Sequence, residues 1–214
     1  WGTSLGKNLG MQDTLWAGLT DSHAGCPMGV TAANLAAEHG ISREQSDKYA
    51  IRSQQKWAKA HEEGKFDDEI APVTLKSRKG EQVFSVDEHP KPGATLDKMA
   101  KLPTPFKKDG VVTPASASGI CDGAGAIVIA SEEAVAEQGL RPLAELVGCA
   151  SVGVEPTKMG IGPVPAINEA LKKAGIALSD VDIVDINEAF APQFLSCCQA
   201  LGLDMDKVNA FGGA

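Results

Sequence analysis

From residue 119 onward, short apolar runs alternate along the chain with segments whose apolar residues have helical spacing. Residues 126–130 are predicted to form a buried strand, residues 143–154 are a second apolar run interrupted by glycines, and residues 179–186 are predicted to form another strand. A helical pattern follows each run. Alternation of strands and helices is typical of α/β proteins, so the sequence predicts an α/β fold for this part of the chain.

The last of these strands ends in two polar residues, Asn187 and Glu188, before a helix that is predicted to run to about Leu201. Open α/β sheets place their sites at the carboxyl ends of strands, so the amide of Asn187 is expected at the mouth of a pocket. The alternative is a plain strand-to-helix turn in which Asn187 caps the helix. Glu188 is interpreted as structural, and Cys197 and Cys198 on the following helix are interpreted as packing residues.

The first 118 residues consist of smaller elements with a high proportion of loops. This organisation is typical of an insertion or a cap rather than of the core of a sheet. A domain boundary is therefore expected near residue 118, and Arg141-Pro142 is interpreted as a second joint. Two helices are predicted first: one over residues 30–38, with Thr31 as its N-cap and Gly40 as its stop, and a long one from the capping box of Ser42 and Gln45 to about Glu63. A hairpin of residues 70–76 and 82–87 and a short helix from Thr95 to about Leu102 are predicted to follow.

Composition excludes several classes of protein. The net charge of −8 and the pI near 5.0 argue against a surface for nucleic acid or anionic membranes, although a local basic pocket for a phosphate remains compatible with them. No apolar run is long enough to cross a membrane. The histidines lack the spacing of metal ligands, so no metal site is expected. The odd number of cysteines, five, favours reduced thiols in a cytosol or an organelle matrix.

Separate motifs resemble one known family when they are considered together. The sequence contains, in this order, PMGVTAANLA (residues 27–36), LPTPFKKDGVVTPASASGICDGAGA (102–126), MGIGPVPAI (159–167) and NEAFA (187–191). Their order and spacing resemble the thiolase family, and within it the 3-ketoacyl-CoA thiolases of the mitochondrial β-oxidation type. The resemblance extends over the whole chain.

This resemblance implies a thiolase fold with a layered αβαβα core, of which the chain would be an internal fragment. Residues 1–118 would be the loop domain that covers CoA. Residues 119–140 would be the last strand and helix of the N-terminal core domain, and residues 141–214 the first half of the C-terminal core domain. A homodimer or homotetramer is implied as well, in the mitochondrial matrix, with the peroxisome or a bacterial cytoplasm as alternatives.

The implied activity is that of an acyltransferase. Thiolases cleave a 3-ketoacyl-CoA with free CoA through an acyl-cysteine intermediate, with CoA as a substrate and no further cofactor. The nucleophilic cysteine of the family would precede this chain, and its Gly-His-Pro histidine and second cysteine would follow it. Cys26, Cys121 and Cys149 lie in motifs that do not match these positions. The chain alone is therefore expected to be inactive, because such groups act as a unit.

The resemblance also assigns roles to residues of this chain. Asn187 matches the asparagine that holds a water against the thioester oxygen, where a fixed dipole stabilises developing charge. Ala189 and Phe190 match positions that line the acyl and pantetheine channel. The other implied contacts are the apolar walls Leu19, Met28, Phe106, Ile120 and Met159, the pantetheine contact Ser118, and Lys91 near the CoA phosphates. Without the resemblance, Met28 and Met159 would be core residues, Phe106 a loop anchor and Lys91 a solvated charge.

The chain departs from the family pattern at several positions. Pro27 stands before Met28, where many biosynthetic thiolases have histidine, and this favours the degradative branch. Pro114 and Ser116 replace the family's alanine and asparagine, and Phe211 replaces an asparagine and so removes a hydrogen-bonding side chain. The alternatives are a biosynthetic acetoacetyl-CoA thiolase and an inactive module that binds acyl-CoA or lipid. A ketoacyl synthase is disfavoured because it has histidine where Asn187 lies.

Overall fold

The computed structural model of this protein describes residues 12–213. Helices dominate the described part. In chain order the helices are α1 (Thr14–Gly18), α2 (Met28–His39), α3 (Arg43–Glu62), α4 (Leu96–Met99), α5 (Glu132–Gln138), α6 (Pro163–Ala174) and α7 (Ala191–Leu201). Shorter 3-10 helices span Pro156–Ile161, Leu178–Asp180 and Met205–Lys207.

Two antiparallel hairpins make up the assigned strands of the described residues. The first pairs β1 (Thr20–Asp21) with β2 (Cys26–Pro27), and the second pairs β3 (Val73–Ser77) with β4 (Gly80–Phe84). The second hairpin confirms the prediction from the sequence, and both of its strands are exposed along their whole length.

Local capping signals were predicted well, with one exception. The Ser42 hydroxyl accepts from the Gln45 amide at 3.1 Å and the Gln45 side chain accepts from the Ser42 amide at 2.7 Å, which confirms the capping box of α3. Gly40 ends α2 with a left-handed φ of 66°. Thr31 was wrong as the N-cap, because α2 begins one turn earlier after the extended Pro27, and the Thr31 hydroxyl donates to the Met28 carbonyl at 2.7 Å.

Helix α7 lies at the centre of the packed core, against α2, α3 and the 3-10 helix Pro156–Ile161. Phe194 of α7 is fully buried, and its ring stacks on the ring of Tyr49 from α3 with centroids 4.4 Å apart. Ile186 and Val208 are buried in the same cluster. The core therefore joins the first 118 residues to the segment around Asn187.

The polar face of α3 holds the C-terminal segment in place. Arg52 donates to the Met205 carbonyl at 2.6 Å, and the Lys56 ammonium donates to the carbonyls of Val208 and Asn209 at 2.7 and 3.0 Å. Charged donors to carbonyl oxygens make strong hydrogen bonds, so residues 205–209 are fixed against this helix.

The predicted strands of the α/β part do not form ladders among the described residues. Residues 126–130 have no assigned strand, and Val128 is 95% exposed, so the prediction of a buried strand was wrong here. In the second apolar run Leu143 is 100% exposed. A strand is stable only beside neighbours that accept and donate its backbone hydrogen bonds, and no described strand pairs with either run. The second run lies against α6 instead, where Lys173 donates to the Cys149 carbonyl at 3.3 Å.

The strand predicted over residues 179–186 is shorter than expected. It makes one isolated parallel bridge, between Val184 and Val208, in which the Val184 amide donates to the Lys207 carbonyl and the Asn209 amide donates to the Val184 carbonyl, both at 3.0 Å. Ile186 at its end is buried. This bridge is enough to direct the chain towards α7.

The helices around this bridge follow the sequence pattern closely. Ser131 caps α5 and Gly139 ends it, Gly175 ends α6, and α7 ends at Leu201 as predicted. Helix α6 begins at Pro163, and Pro165 also lies in its first turn, where proline is tolerated. No helix in the described range is long and apolar enough to cross a membrane.

Candidate active site

The candidate site forms where the segment before α7 meets the extended residues 116–118. The Ser118 amide donates to the Ala189 carbonyl at 2.9 Å, and the Ala191 amide donates to the Ser116 carbonyl at 2.8 Å. An antiparallel bridge joins Ala117 to Phe190 between them. The structure therefore brings together Ser118, Ala189 and Phe190, three of the residues predicted for the site.

Asn187 lies three residues before the cap of α7, because the N-cap is Phe190, with φ −148° and ψ 136°. The alternative in which Asn187 caps the helix was therefore wrong. Asn187 is exposed, and its side chain makes no hydrogen bond to any residue in the described range 12–213. Its amide is thus free to bind a ligand or a water.

The two neighbours of Asn187 are held firmly. Ile186 donates its amide to the Asn209 side chain at 2.8 Å and accepts from the Asn209 side-chain nitrogen at 2.8 Å. Glu188 is only 3% exposed, and the same side-chain nitrogen donates to its Oε1 at 2.7 Å. The Tyr49 hydroxyl donates to this oxygen as well. Glu188 thus orients neighbouring groups, as interpreted from the sequence.

The Tyr49 hydroxyl remains a donor over the whole ordinary pH range. Burial first, and the charge of Glu188 second, raise the pKa of Tyr49 well above its usual value. Sequence reasoning missed both Tyr49 and Asn209 as parts of this site. A signal existed for Asn209, the first residue of the sequence NAFGGA (residues 209–214), which resembles the N-x-N-G-G-A run of the thiolase family. None existed for Tyr49.

An apolar wall lies beside Phe190. The ring of Phe106 packs edge-on against Phe190 with centroids 5.9 Å apart, and Trp16 stacks on the other side of Phe106 at 6.3 Å. Met28 donates its amide to the Leu19 carbonyl at 3.0 Å, and the next residue, Gly29, lies against the Phe106 ring. Phe106 and Phe190 are thus in direct contact, while the role of Leu19, Met28, Phe106 and Phe190 as a channel wall stays a prediction.

Gly29 leaves the space that Phe106 occupies, and this gives a first testable prediction. A methyl group at Gly29 would overlap the Phe106 ring. Gly29→Ala is expected to push that ring away from Phe190 and to lower the free energy of unfolding by about 1–3 kcal/mol. Urea denaturation measures this loss. Gly93→Ala is the matched control, because an added methyl there meets open space; equal losses for both variants would contradict the prediction.

A cavity of about 260 Å³ lies on the α3 side of the site. Lys91 lies at its edge, with its backbone amide donating to Gln54 Oε1 at 2.6 Å, and Glu188 and Ser116 line it. His89 also lines it, with its ring packed so closely on Gly119 that a side chain at residue 119 would not fit. The sequence offered no signal for His89.

Of the residues predicted to contact the substrate, only Lys91 lines this cavity. Ile120 is exposed in the extended segment that follows Gly119, and Met159 is exposed on the 3-10 helix Pro156–Ile161. Neither lines the cavity with Lys91. Direct contacts thus join Ser118 and Phe106 to Ala189 and Phe190, which follow Asn187 closely in the chain, while the roles of Ile120 and Met159 stay predictions.

The paired cysteines of α7 are packing residues. Both are buried, and burial raises the pKa of the Cys197 thiol to about 11 and that of Cys198 to about 12. The neighbouring Cys197 and Glu188 add to the shift at Cys198. Thiols with such high pKa values are poor nucleophiles near neutral pH, so neither is suited to carry an acyl group. The described residues contain no cluster that could hold a metal ion.

Known proteins resemble this chain in both sequence and structure. The family model for the thiolase N-terminal domain matches residues 1–133, and the model for the thiolase C-terminal domain matches residues 140–214. The mitochondrial 3-ketoacyl-CoA thiolase of Mus musculus is 58% identical over 214 residues, which is 100% of this chain and 54% of that protein. An acetyl-CoA acetyltransferase of Syntrophomonas wolfei is 45% identical over 218 residues and covers 100% of this chain and 55% of its own length.

The structure agrees with these matches. The crystal structure of human mitochondrial 3-ketoacyl-CoA thiolase superimposes with a TM-score of 0.96 and 54% identity, covering 100% of this chain and 54% of the human one. The human enzyme in complex with CoA gives a TM-score of 0.94 and 53% identity, covering 100% and 53% of the two chains.

The predicted fold class is confirmed by this superposition. The chain spans about half the length of the relatives it matches, 54% for the mouse and human proteins. The division into a loop domain and two core parts stays a prediction, since the family models mark one boundary, between residues 133 and 140. Because both thiolase domain models match this chain and the mouse thiolase is 58% identical to it, the chain belongs to the thiolase family.

Proposed function

We propose that this chain is part of a thiolase that cleaves a 3-ketoacyl-CoA with CoA to acetyl-CoA and a shortened acyl-CoA in fatty acid β-oxidation. The reaction passes through an acyl-cysteine whose cysteine is not among these residues. One observation carries the proposal: the exposed amide of Asn187 stands between two fixed neighbours, beside the wall of Phe106 and Phe190. The names of the mouse and human relatives support it.

In this proposal Asn187 stabilises negative charge on the thioester oxygen. Its amide holds a water that donates to that oxygen as charge develops, and an amide suits this role because it does not titrate. The side chain needs no reorientation at the moment of reaction, because the backbone on both sides is already fixed.

The remaining site residues bind the substrate. Ala189 is small enough to leave room for an acyl chain, and Phe190 and Phe106 offer flat apolar walls to the pantetheine arm. The hydroxyl of Ser118 contacts the arm, and Lys91 at the edge of the cavity meets the CoA phosphates. Ile120, Met159, Leu19 and Met28 complete the apolar lining.

Location and assembly follow the relatives. The mouse and human proteins with 58% and 54% identity are mitochondrial, which supports the mitochondrial matrix for this protein. A homodimer or homotetramer is proposed from the family. Neither nucleic acid nor a membrane is proposed as a partner, in keeping with the net charge of −8.

A biosynthetic acetoacetyl-CoA thiolase is the second candidate. It is favoured by the Syntrophomonas wolfei relative, an acetyl-CoA acetyltransferase at 45% identity. Pro27 before Met28 supports the degradative assignment instead. The two candidates differ in substrate range: the degradative enzyme accepts long 3-ketoacyl chains, whereas the biosynthetic one prefers acetoacetyl-CoA.

The deciding experiment is a thiolysis assay on the full-length protein that contains this chain. We expect CoA-dependent cleavage of both acetoacetyl-CoA and a long-chain 3-ketoacyl-CoA, with acetyl-CoA as a product. The 214-residue chain alone is expected to give no turnover. Folded full-length protein that binds acyl-CoA without cleaving it would identify an inactive binding module instead, and cleavage of acetoacetyl-CoA alone would identify the biosynthetic enzyme.

A further inference from the structure

The backbone on both sides of Asn187 is held by other residues, whereas the Asn187 side chain makes no hydrogen bond within residues 12–213. On the N-terminal side, both backbone polar groups of Ile186 bond to the side chain of Asn209 at 2.8 Å. The Asn209 side chain thus makes the same pair of hydrogen bonds with Ile186 that a residue of a neighbouring β-strand would make. It fixes the peptide that leads into Asn187.

On the C-terminal side, Glu188 is held through its side chain and through its backbone. Its Oε1 accepts from Tyr49 and, at 2.7 Å, from Asn209, while its amide donates to the Gly213 carbonyl at 3.4 Å. A buried carboxylate is costly unless donors surround it, and these two donors are what stabilise it here. The peptide that leaves Asn187 is thus fixed as well.

The same side chain serves both neighbours. The Asn209 amide nitrogen donates one hydrogen to the Ile186 carbonyl and the other to Glu188, and its oxygen accepts from the Ile186 amide. Asn209 is 2% exposed and has a φ of 45°, a left-handed conformation that asparagine tolerates better than most residues. Every hydrogen-bonding capacity but one lone pair is used, which leaves the side chain a single orientation.

The arrangement is tightly packed on the side of Gly213. A methyl group at Gly213 would overlap both the Asn209 nitrogen and the Glu188 carboxylate. The Gly213 amide donates to the Ser53 hydroxyl of α3 at 3.2 Å, so the surrounding segment is tied to the same helix as Tyr49.

We propose that Tyr49, Glu188 and Asn209 form a positioning network that sets the direction of the Asn187 amide, an inference that rests on the proposed function. Glu188 contributes no proton and touches no reacting atom in this scheme. Glu188 connects Tyr49 of α3 to the backbone next to Asn187, so the position of α3 helps to orient the asparagine that binds the water. Preorganised donors stabilise charge only when their direction is held in this way.

The test uses the full-length protein with the variants Glu188→Ala, Glu188→Gln, Asn187→Ala and the double variant of Asn187→Ala with Glu188→Ala. Glu188→Ala is expected to lower kcat at least about tenfold while KM changes less than about threefold, since only transition-state contacts weaken. Glu188→Gln keeps an acceptor for both donors and is expected to recover most of that loss. Glu169→Ala, on the outer face of α6, is the matched control and is expected to leave kcat unchanged.

The double variant tests more directly whether Glu188 and Asn187 act together. If Glu188 acts through Asn187, the double variant has the kcat of Asn187→Ala alone within about twofold. Multiplied losses in the double variant would overturn the proposal, and so would a Glu188→Ala variant with unchanged kcat. Should Glu188→Ala fail to fold, Tyr49→Phe replaces it in the same cycle, because it removes one donor and keeps the ring on Phe194.

A readout that does not need activity separates this inference from the proposed function. A wild-type protein without thiolysis would refute the function. Hydrogen exchange in Glu188→Gln and Tyr49→Phe then decides the network: faster exchange in residues 184–190 and 208–213, with α5 unchanged, supports it. Unchanged exchange in both segments would overturn it.

Discussion

Replacing Asn187 with alanine in the full-length protein is expected to lower kcat about 100- to 1,000-fold, the usual effect of removing one preorganised donor. KM is expected to stay within about threefold of the wild-type value, because the apolar wall of Phe106 and Phe190 still binds the acyl-CoA. The exposed amide makes no hydrogen bond within residues 12–213, so its loss leaves no described partner unsatisfied. Steady-state thiolysis kinetics measure both parameters.

Two further variants make this result interpretable. Asn187→Asp has the same shape but places a negative charge where negative charge develops, so it is expected to be at least as damaging as alanine. Asn168→Ala removes an exposed amide from α6 and is expected to leave kcat unchanged. A raised KM with normal kcat for Asn187→Ala would show that the residue only binds the ground state, and the assigned role would then be wrong.

Phe194→Ala is expected to cost about 3–5 kcal/mol of unfolding free energy, the largest stability effect in the chain. Phe194 is 0% exposed and carries the ring of Tyr49 on its face at 4.4 Å. The cavity left behind would lie at the junction of α3 and α7, where the surrounding helices are tied by several contacts and cannot collapse inward. The midpoint and slope of the urea denaturation curve give the change in the free energy of unfolding.

Phe84→Ala supplies the comparison for this loss. It removes the same side chain from β4, where the ring is 41% exposed, and is expected to cost less than about 1 kcal/mol. If the two variants lost similar stability, α7 would not be the centre of the core. A Phe194→Ala protein with normal stability would point to the same conclusion.

Elements that depend on neighbouring residues in the chain were predictable. The Ser42–Gln45 box, the Ser131 cap and the glycine stops of α2, α5 and α6 are determined within one turn of backbone. Their signals are therefore present in any short window of sequence. Thr31 shows the limit of such predictions. Helix α2 begins after the extended Pro27 and not at the residue with the best capping side chain.

The features that failed or were missed depend on distant residues. An apolar run such as residues 126–130 indicates a strand, but its ladder depends on which segments lie alongside. Tyr49 lies 139 positions before the carboxylate that it contacts, and no local pattern marks it. Asn187 was predictable through its motif, whereas the groups that hold its neighbours were not.

The sequence did not predict which contact the Phe211 side chain makes, and the structure shows it. The sequence indicated a lost hydrogen-bonding side chain at this position. In the structure its ring meets Phe66 edge-on at 6.1 Å, and Phe66 in turn packs near Trp57 at 6.5 Å. The substitution therefore exchanges a polar contact for an aromatic one.

The contacts of α3 with the C-terminal segment have a consequence for insertions and deletions. Tyr49, Arg52, Ser53 and Lys56 have the spacing i, i+3, i+4 and i+7 and so form one stripe along the helix. Adding or removing one residue before this stripe would rotate it by about 100° relative to the preceding part of the helix and misalign its four contacts together. The exposed β3–β4 hairpin has no such stripe. Length variation in this family is therefore expected to accumulate in the hairpin and to be rare in α3.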